Sequence, residues 1–131
     1  MVADPLMPIL VVDDYQTMVR IIVNLLKQIG YTNIDEASNG EQAFEKIQTG
    51  AYGLIISDWN MQPMTGFELL QKLKATAEYA AIPFIMVTAE SKTDNVIAAR
   101  KAGVSSYIVK PFNAQTLKAK IDAVFAARAA A

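Results

Sequence analysis

Short apolar runs alternate along the chain with stretches of helical period, from one end to the other. The first run, Ile9 to Val12, is followed by Met18, Ile21, Ile22, Leu25, Leu26 and Ile29, a spacing that predicts a helix with these side chains on one face. Gly30 supplies its C-terminal stop. Asn33 to Ala37 is too polar for a central strand and is predicted at a sheet edge, where one side can face water. Ala43, Phe44 and Ile47 mark a second helix. Leu54 to Ile56 is a continuous apolar block bounded by Gly53 and Asp58, which suits a central strand buried on both faces. A loop with Pro63 and Gly66 leads to a third helix carrying Phe67, Leu70 and Leu73, and Pro83 precedes a fourth strand, Phe84 to Val87. Asp94 to Ala102 is a weaker helix with Val96 and Ile97 as its only large apolar residues, ended by Gly103. Tyr107 to Val109 is the fifth strand. Leu117, Ile121, Val124 and Phe125 form the stripe of a last helix, whose Ala-rich end around Arg128 is expected to fray.

Strands alternating with helices predict an α/β domain built on a parallel sheet. At 131 residues, with neither repeat nor linker, one domain over residues 1–131 is expected. The composition, 53% hydrophobic and 19% charged with 12 basic against 13 acidic side chains, is a globular balance that asks for neither nucleic acid nor a membrane surface. The N-terminal residues Met1 to Pro5 lack the basic and apolar segments of a signal peptide, so a cytoplasmic protein is expected. The chain has no Cys and no His. Disulfides, thiolate nucleophiles, thiolate zinc sites and imidazole-based triads are thereby excluded, and any chemistry falls to oxygen ligands, Lys and hydroxyls.

Four of the strands end on distinctive residues: Asp13 and Asp14, Asp58, Thr88 and Lys110. Ligands of open α/β sheets bind outside the carboxyl ends of strands, where strand order reverses. Three carboxylates gathered there would repel one another, and a divalent cation together with Lys110 would offset the repulsion. Mg²⁺ suits such a site because it takes hard oxygen ligands and combines one or two carboxylates with phosphate oxygens. Asp58, on the central strand, is then the candidate nucleophile for phosphoryl transfer, with Lys110 neutralising charge and the Thr88 hydroxyl donating to a phosphoryl oxygen. Taken one at a time, each has a simpler reading. Asp14 could cap the first helix, Asp58 begin a turn, Thr88 cap a loop, and Lys110 be a solvated charge.

Val11-Val12-Asp13-Asp14, Ser57-Asp58-Trp59-Asn60-Met61, Val87-Thr88-Ala89-Glu90 and Tyr107-Ile108-Val109-Lys110-Pro111-Phe112, in this order and spacing, resemble the CheY-like response regulators of two-component signalling over nearly the whole chain. The resemblance implies a doubly wound (βα)5, flavodoxin-like fold with strand order 2-1-3-4-5. It implies phosphorylation of Asp58 by a CheA-like histidine kinase, and Mg²⁺ held by Asp13, Asp58 and the backbone carbonyl of Asn60, with Asp14 in the same acidic pocket. Asn60 and Glu90 match positions that tune dephosphorylation, and Lys110-Pro111 matches a peptide bond that is usually cis. The response would run through Thr88 and Tyr107 to the surface of the fourth helix, fifth strand and fifth helix. The implied protein is a cytoplasmic monomer that supports its own phosphorylation and dephosphorylation, is not otherwise an enzyme, and has the flagellar motor switch protein FliM as output partner, with a dedicated phosphatase as a further one.

The loop Met61-Gln62-Pro63-Met64-Thr65-Gly66 departs from the family, which commonly has Pro directly after the Met. Trp59, Met18, Met61 and Met64 either add to a partner surface or fill gaps at the core edge. Three other readings compete. A phosphate sink without motor output shares every site residue. A small Mg²⁺-dependent phosphatase of the haloacid dehalogenase type requires an Asp-x-Asp motif, which Asp13-Asp14-Tyr15 does not supply. A flavin binder would set Asp13 and Asp14 against a phosphate dianion.

Overall fold

The computed structural model describes residues 3–89 and 92–130. Its elements are β1 (Ile9–Val12), α1 (Gln16–Ile29), β2 (Ile34–Ala37), α2 (Gly40–Thr49), β3 (Leu54–Ser57), α3 (Gly66–Lys74), β4 (Phe84–Thr88), α4 (Thr93–Lys101), β5 (Ser106–Val109) and α5 (Ala114–Ala130). The strands form one parallel sheet of order β2-β1-β3-β4-β5. This is the doubly wound (βα)5 arrangement that the resemblance implied. Every residue of β1, β3 and β4 is buried, as apolar runs covered on both faces must be, whereas the edge strands β2 and β5 keep exposed positions.

Alternate strand residues feed two cores. Ile9, Val11, Leu54, Ile56, Ile85 and Val87 pack with Val19, Ile22 and Leu26 of α1 and Leu117 and Ile121 of α5. Leu10, Val12, Ile55, Phe84 and Met86 pack on the other face with Ala43 and Ile47 of α2 and Leu69, Leu70 and Leu73 of α3. Short polar side chains fix helix starts: Asn39 accepts from the Gln42 amide at 2.8 Å, and Thr65 and Glu68 form a reciprocal capping box before α3. Among the described residues no helix is long and apolar enough to cross a membrane.

Several expectations about individual side chains require correction. Ile21 is 43% exposed and does not belong to the buried face of α1; Val19, one turn before Ile22 and Val23, takes that place. Phe67 is half-buried and stacks on Trp59, while Leu69 enters the core. Of the two readings open for Met61, the structure bears out the filling one: it is 2% exposed and belongs to the core. The end of α5 continues to Ala130, with Arg128 Nη1 donating to the Ala81 carbonyl at 2.7 Å and so tying the last turns to the loop before β4.

Candidate functional site

The order reverses between β1 and β3: from β1 the chain passes to β2 on one side, and the later strands build out on the other. At the carboxyl ends of these two strands, Asp13 N donates to Ala37 O and Asp58 N to Val12 O, so ladder bonds set both acidic residues side by side. One carboxylate oxygen each from Asp13, Asp14 and Asp58 lies within 4.8 Å of the others. Asp13 is buried, Asp58 half-buried and Asp14 exposed, so the cluster opens to solvent on one side. There the carbonyl-bearing residues of the following loop line a cavity of about 390 Å³ together with Asp14, among them Asn60, Met61 and Gln62.

Lys110 reaches into the cluster from the end of β5. Its Nζ lies 3.1 Å from Asp13 Oδ2 and 3.5 Å from Asp58 Oδ2, and its side chain is only 17% exposed. The position is fixed by its own amide, which donates to Thr88 O at 2.9 Å and extends the β4–β5 ladder by one residue. Thr88 is fully buried at the end of β4, and Tyr107 is half-buried on β5 opposite Met86. The Lys110-Pro111 peptide bond is cis, as the resemblance implied, and so is Gln62-Pro63.

Two of the simpler readings do not describe the molecule. The residue preceding α1 is Tyr15, with no side-chain cap, and it is Asp13 Oδ1 that accepts from the Tyr15 amide at 3.0 Å, so Asp14 does not cap the helix. Lys110 is not a solvated charge. Asp58 does shape its own turn, since Oδ1 accepts from the Trp59 amide at 2.7 Å. Glu90 lies outside the described residues.

Electrostatics favours an added positive charge. Burial pushes the Asp13 carboxyl above the usual carboxylate range; the Tyr15 amide and Lys110 pull it back, and the Asp58 charge raises it again. One ammonium shared between two carboxylates, with a third nearby, leaves net negative charge in a partly dry site. Hard, closely spaced oxygen donors with an open side fit a hydrated Mg²⁺ ion.

Sequence reasoning missed the support of this site. Gly66, the first residue of α3, sits so close that a Cβ there would lie 1.8 Å from the Asp58 carbonyl oxygen. The buried Ser57 hydroxyl donates to the same oxygen at 2.9 Å, and the Gly66 amide to Trp59 O at 2.9 Å. The loop departing from Asp58 is thus closed onto the start of α3. The signal for Gly66 was present as a Gly directly after the Thr65 cap, but its contact partner lies eight residues earlier and no local pattern reveals it.

The sequence profile of the response regulator receiver domain matches residues 9–122. The chain belongs to the response regulator receiver family. It is 48% identical over 103 residues to the chemotaxis protein CheY of Pseudomonas aeruginosa, covering 79% of this chain and 83% of that one. It is 45% identical over 103 residues to CheY-3 of Vibrio cholerae, covering 79% of each. The solved structure of the chemotaxis response regulator CheY4 of Vibrio cholerae superposes with a TM-score of 0.83 at 31% identity, over 91% of this chain and 98% of that one. This receiver is therefore CheY-like, and receivers of this type act as phosphoacceptor switches with an acidic pocket that typically binds Mg²⁺.

Proposed function

We propose that this receiver is a single-domain, phosphorylation-activated regulator of a chemotaxis pathway, acting as a cytoplasmic monomer, with Asp58 as the phosphoacceptor. The observation that carries the reading is Lys110 Nζ standing between Asp13 and Asp58 at 3.1 and 3.5 Å, at the topological switch point. Asp13, Asp14, Asp58 and the Asn60 backbone carbonyl would hold Mg²⁺. When bound, the ion supplies positive charge to the equatorial oxygens of a transferring phosphoryl group.

The residues themselves divide the remaining work. An Asp58 carboxylate oxygen attacks phosphorus, forming the O–P bond of an acyl phosphate as the N–P bond of the kinase phosphohistidine breaks. Having no His, the chain takes that imidazole from the partner. Lys110 exchanges part of its pairing with Asp58 for the new phosphoryl oxygens, a charge-assisted contact. The Thr88 hydroxyl donates to one of those oxygens, and Tyr107, on the neighbouring strand, changes position with it. In the reverse reaction Asn60 and Glu90 adjust access of water to the acyl phosphate.

The output surface is that of α4, β5 and α5, where Ile97 of α4 and Val109 of β5 are exposed apolar residues. The curated relatives are chemotaxis proteins by name, which supports a CheA-like kinase as donor and the flagellar motor switch protein FliM as target. A complete reversal of the two conformational populations, from 1:99 to 99:1, would require about 5.5 kcal/mol of differential stabilisation, and a partial response needs less.

The test is incubation with Mg²⁺ and acetyl phosphate, followed by intact mass and by the fluorescence of Trp59. One phosphoryl group is expected on the parent and none on Asp58→Asn, with loss of the group in base. Equal modification of the Asn variant would overturn the assignment. Failure of the phosphorylated form to bind FliM more tightly would point to the phosphate sink instead.

A further inference from the structure

At the end of the sheet opposite the carboxylates, where β5 begins, four cations surround a trough with no acidic lining. One cavity of about 460 Å³ is lined by Lys74, Lys120, Arg128 and the hydroxyl-bearing Ser105 and Ser106. A second, of about 330 Å³, shares Ser105, Ser106 and Lys120 and ends at Arg100. No Asp or Glu lines either cavity. We propose that this trough is a binding site for a small molecule carrying phosphoryl groups.

Two features distinguish the trough from a scatter of surface lysines. Lys74 is held, not free to swing away: its stem lies against Gly103, where a Cβ would come within 3.1 Å of Lys74 Cε, and its Nζ donates to Ala80 O at 2.9 Å. Arg128 Nη1 is anchored to the adjoining Ala81 carbonyl at 2.7 Å. Two backbone carbonyls thus fix two cations at one wall, and their proximity is felt, since burial and then the Arg128 charge hold the Lys74 amine below its usual range. An ammonium has three donors and a guanidinium five, so one anchoring bond each leaves most of them for a ligand.

The floor adds neutral donors. The Ser105 oxygen accepts from the Phe84 amide at 3.1 Å, which orients its hydroxyl proton for an anionic oxygen. Fixed guanidinium and ammonium groups with hydroxyls between them are the donor set for phosphoryl oxygens. The two cavities share Ser105, Ser106 and Lys120, with Arg128 lining one and Arg100 the other, so a ligand with more than one phosphoryl group can meet cations in both. Lys74, Ser105 and Arg128 lie at the other end of the strands from the acceptor, whereas Tyr107 of the output surface lines the second cavity beside Arg100 and Lys120.

The test uses the full chain as Asp58→Asn, without Mg²⁺, so that the carboxylate site cannot take part, with inorganic pyrophosphate as probe and amide shifts in heteronuclear NMR as readout. Saturable shifts are expected at Ser105 and Ser106. Lys120→Gln is expected to weaken binding about tenfold, as loss of one charge-assisted contact does. Lys120 is exposed on α5, so this variant is expected to keep the fold. Shifts no larger than those in sodium chloride of equal ionic strength, or unaltered affinity in both Lys120→Gln and Arg128→Gln, would overturn the proposal.

Discussion

An ammonium group shared by two carboxylates does two jobs with opposite consequences for charge. It relieves repulsion among the carboxylates, and it competes there with any other cation. Lys110→Met removes the 3.1 and 3.5 Å contacts and leaves the site more negative by one charge. Mg²⁺ affinity, followed through the single tryptophan, is therefore expected to rise, by about tenfold for 1.4 kcal/mol of relieved cation repulsion. Phosphorylation of Asp58 from acetyl phosphate is expected to slow by about tenfold or more, because a charge-assisted contact of roughly 1.5–3 kcal/mol is missing. Weaker Mg²⁺ binding in the variant would show that Lys110 organises the carboxylates more than it opposes the ion. At Gly66 the argument is steric. A methyl group 1.8 Å from the Asp58 carbonyl oxygen cannot be accommodated by a rotamer change, since the obstacle is backbone. Gly66→Ala is expected to cost about 1–3 kcal/mol in urea unfolding and to lower acceptor phosphorylation with it. Glu68→Ala, which loses a surface cap in the same helix, should leave phosphorylation unaltered.

Among the strands, β2 is held at Asp35 by polar side chains. Tyr52 Oη donates to Asp35 Oδ2 at 2.6 Å, and Lys46 Nζ lies 3.2 Å from Asp35 Oδ1. The Tyr52 hydrogen bond is the main cause of an Asp35 carboxyl below the usual range, and burial, with Asp35 adding to it, pushes the Tyr52 phenol up to about 12. A lowered carboxyl stabilises the fold above the pH at which the unfolded residue ionises and loses that contribution as pH falls through its folded value. A raised phenol stabilises the fold below about pH 10, the ordinary phenol value, and the contribution fades as pH climbs toward 12. Urea unfolding at pH 9 and pH 11.5 should show a drop in the parent that is smaller in Tyr52→Phe; equal drops would assign the alkaline loss elsewhere. The pair is exposed, so the effect is modest. This contact was not legible in the chain, where Asp35 and Tyr52 are separated by all of α2. Elements with a strong apolar signature were. Ile9 to Val12, Leu54 to Ile56 and Phe84 to Val87 read directly as central strands, because burial on both faces leaves no polar position to confuse the pattern. α1 read correctly as an element but not in its orientation: with eight apolar residues from Met18 to Ile29, more than one stripe satisfies a helical period, and packing against α5 chose Val19 over Ile21. The Ala-rich end of α5 offered no periodic signal, and the Arg128 bond to Ala81 that secures it crosses 47 positions of sequence.

On the scale of the molecule, two well-filled cores carry a site that is electrostatically unfavourable by itself. The cores are expected to respond as such: Leu70→Ala, fully buried, should cost about 2–5 kcal/mol, whereas Ile97→Ala, 45% exposed on α4, should change stability little. The five residues at the ends of four strands, Asp13, Asp14, Asp58, Thr88 and Lys110, could be read from the sequence because each follows or closes an apolar run. The residues that shape their surroundings, Ser57 and Gly66 among them, could not, since their roles exist only once β3 and α3 have met. A ligand that binds the native state alone stabilises it by RT ln(1 + [L]/Kd), about 2.7 kcal/mol at a hundred times Kd. If Asp13, Asp14 and Asp58 hold Mg²⁺, thermal unfolding should shift upward in saturating MgCl₂ by roughly 5–10 °C relative to NaCl of equal ionic strength, taking a few degrees for each kcal/mol at this chain length. Screening of surface charge acts in both salts and cancels in that comparison. In Asp13→Asn the shift should largely vanish, while the melting temperature without Mg²⁺ should rise, because a buried carboxylate beside two others has been replaced by a neutral group of the same shape. A magnesium shift that survives in Asp13→Asn would mean that the ion stabilises the fold from some other place, and that the acidic cluster is not its site.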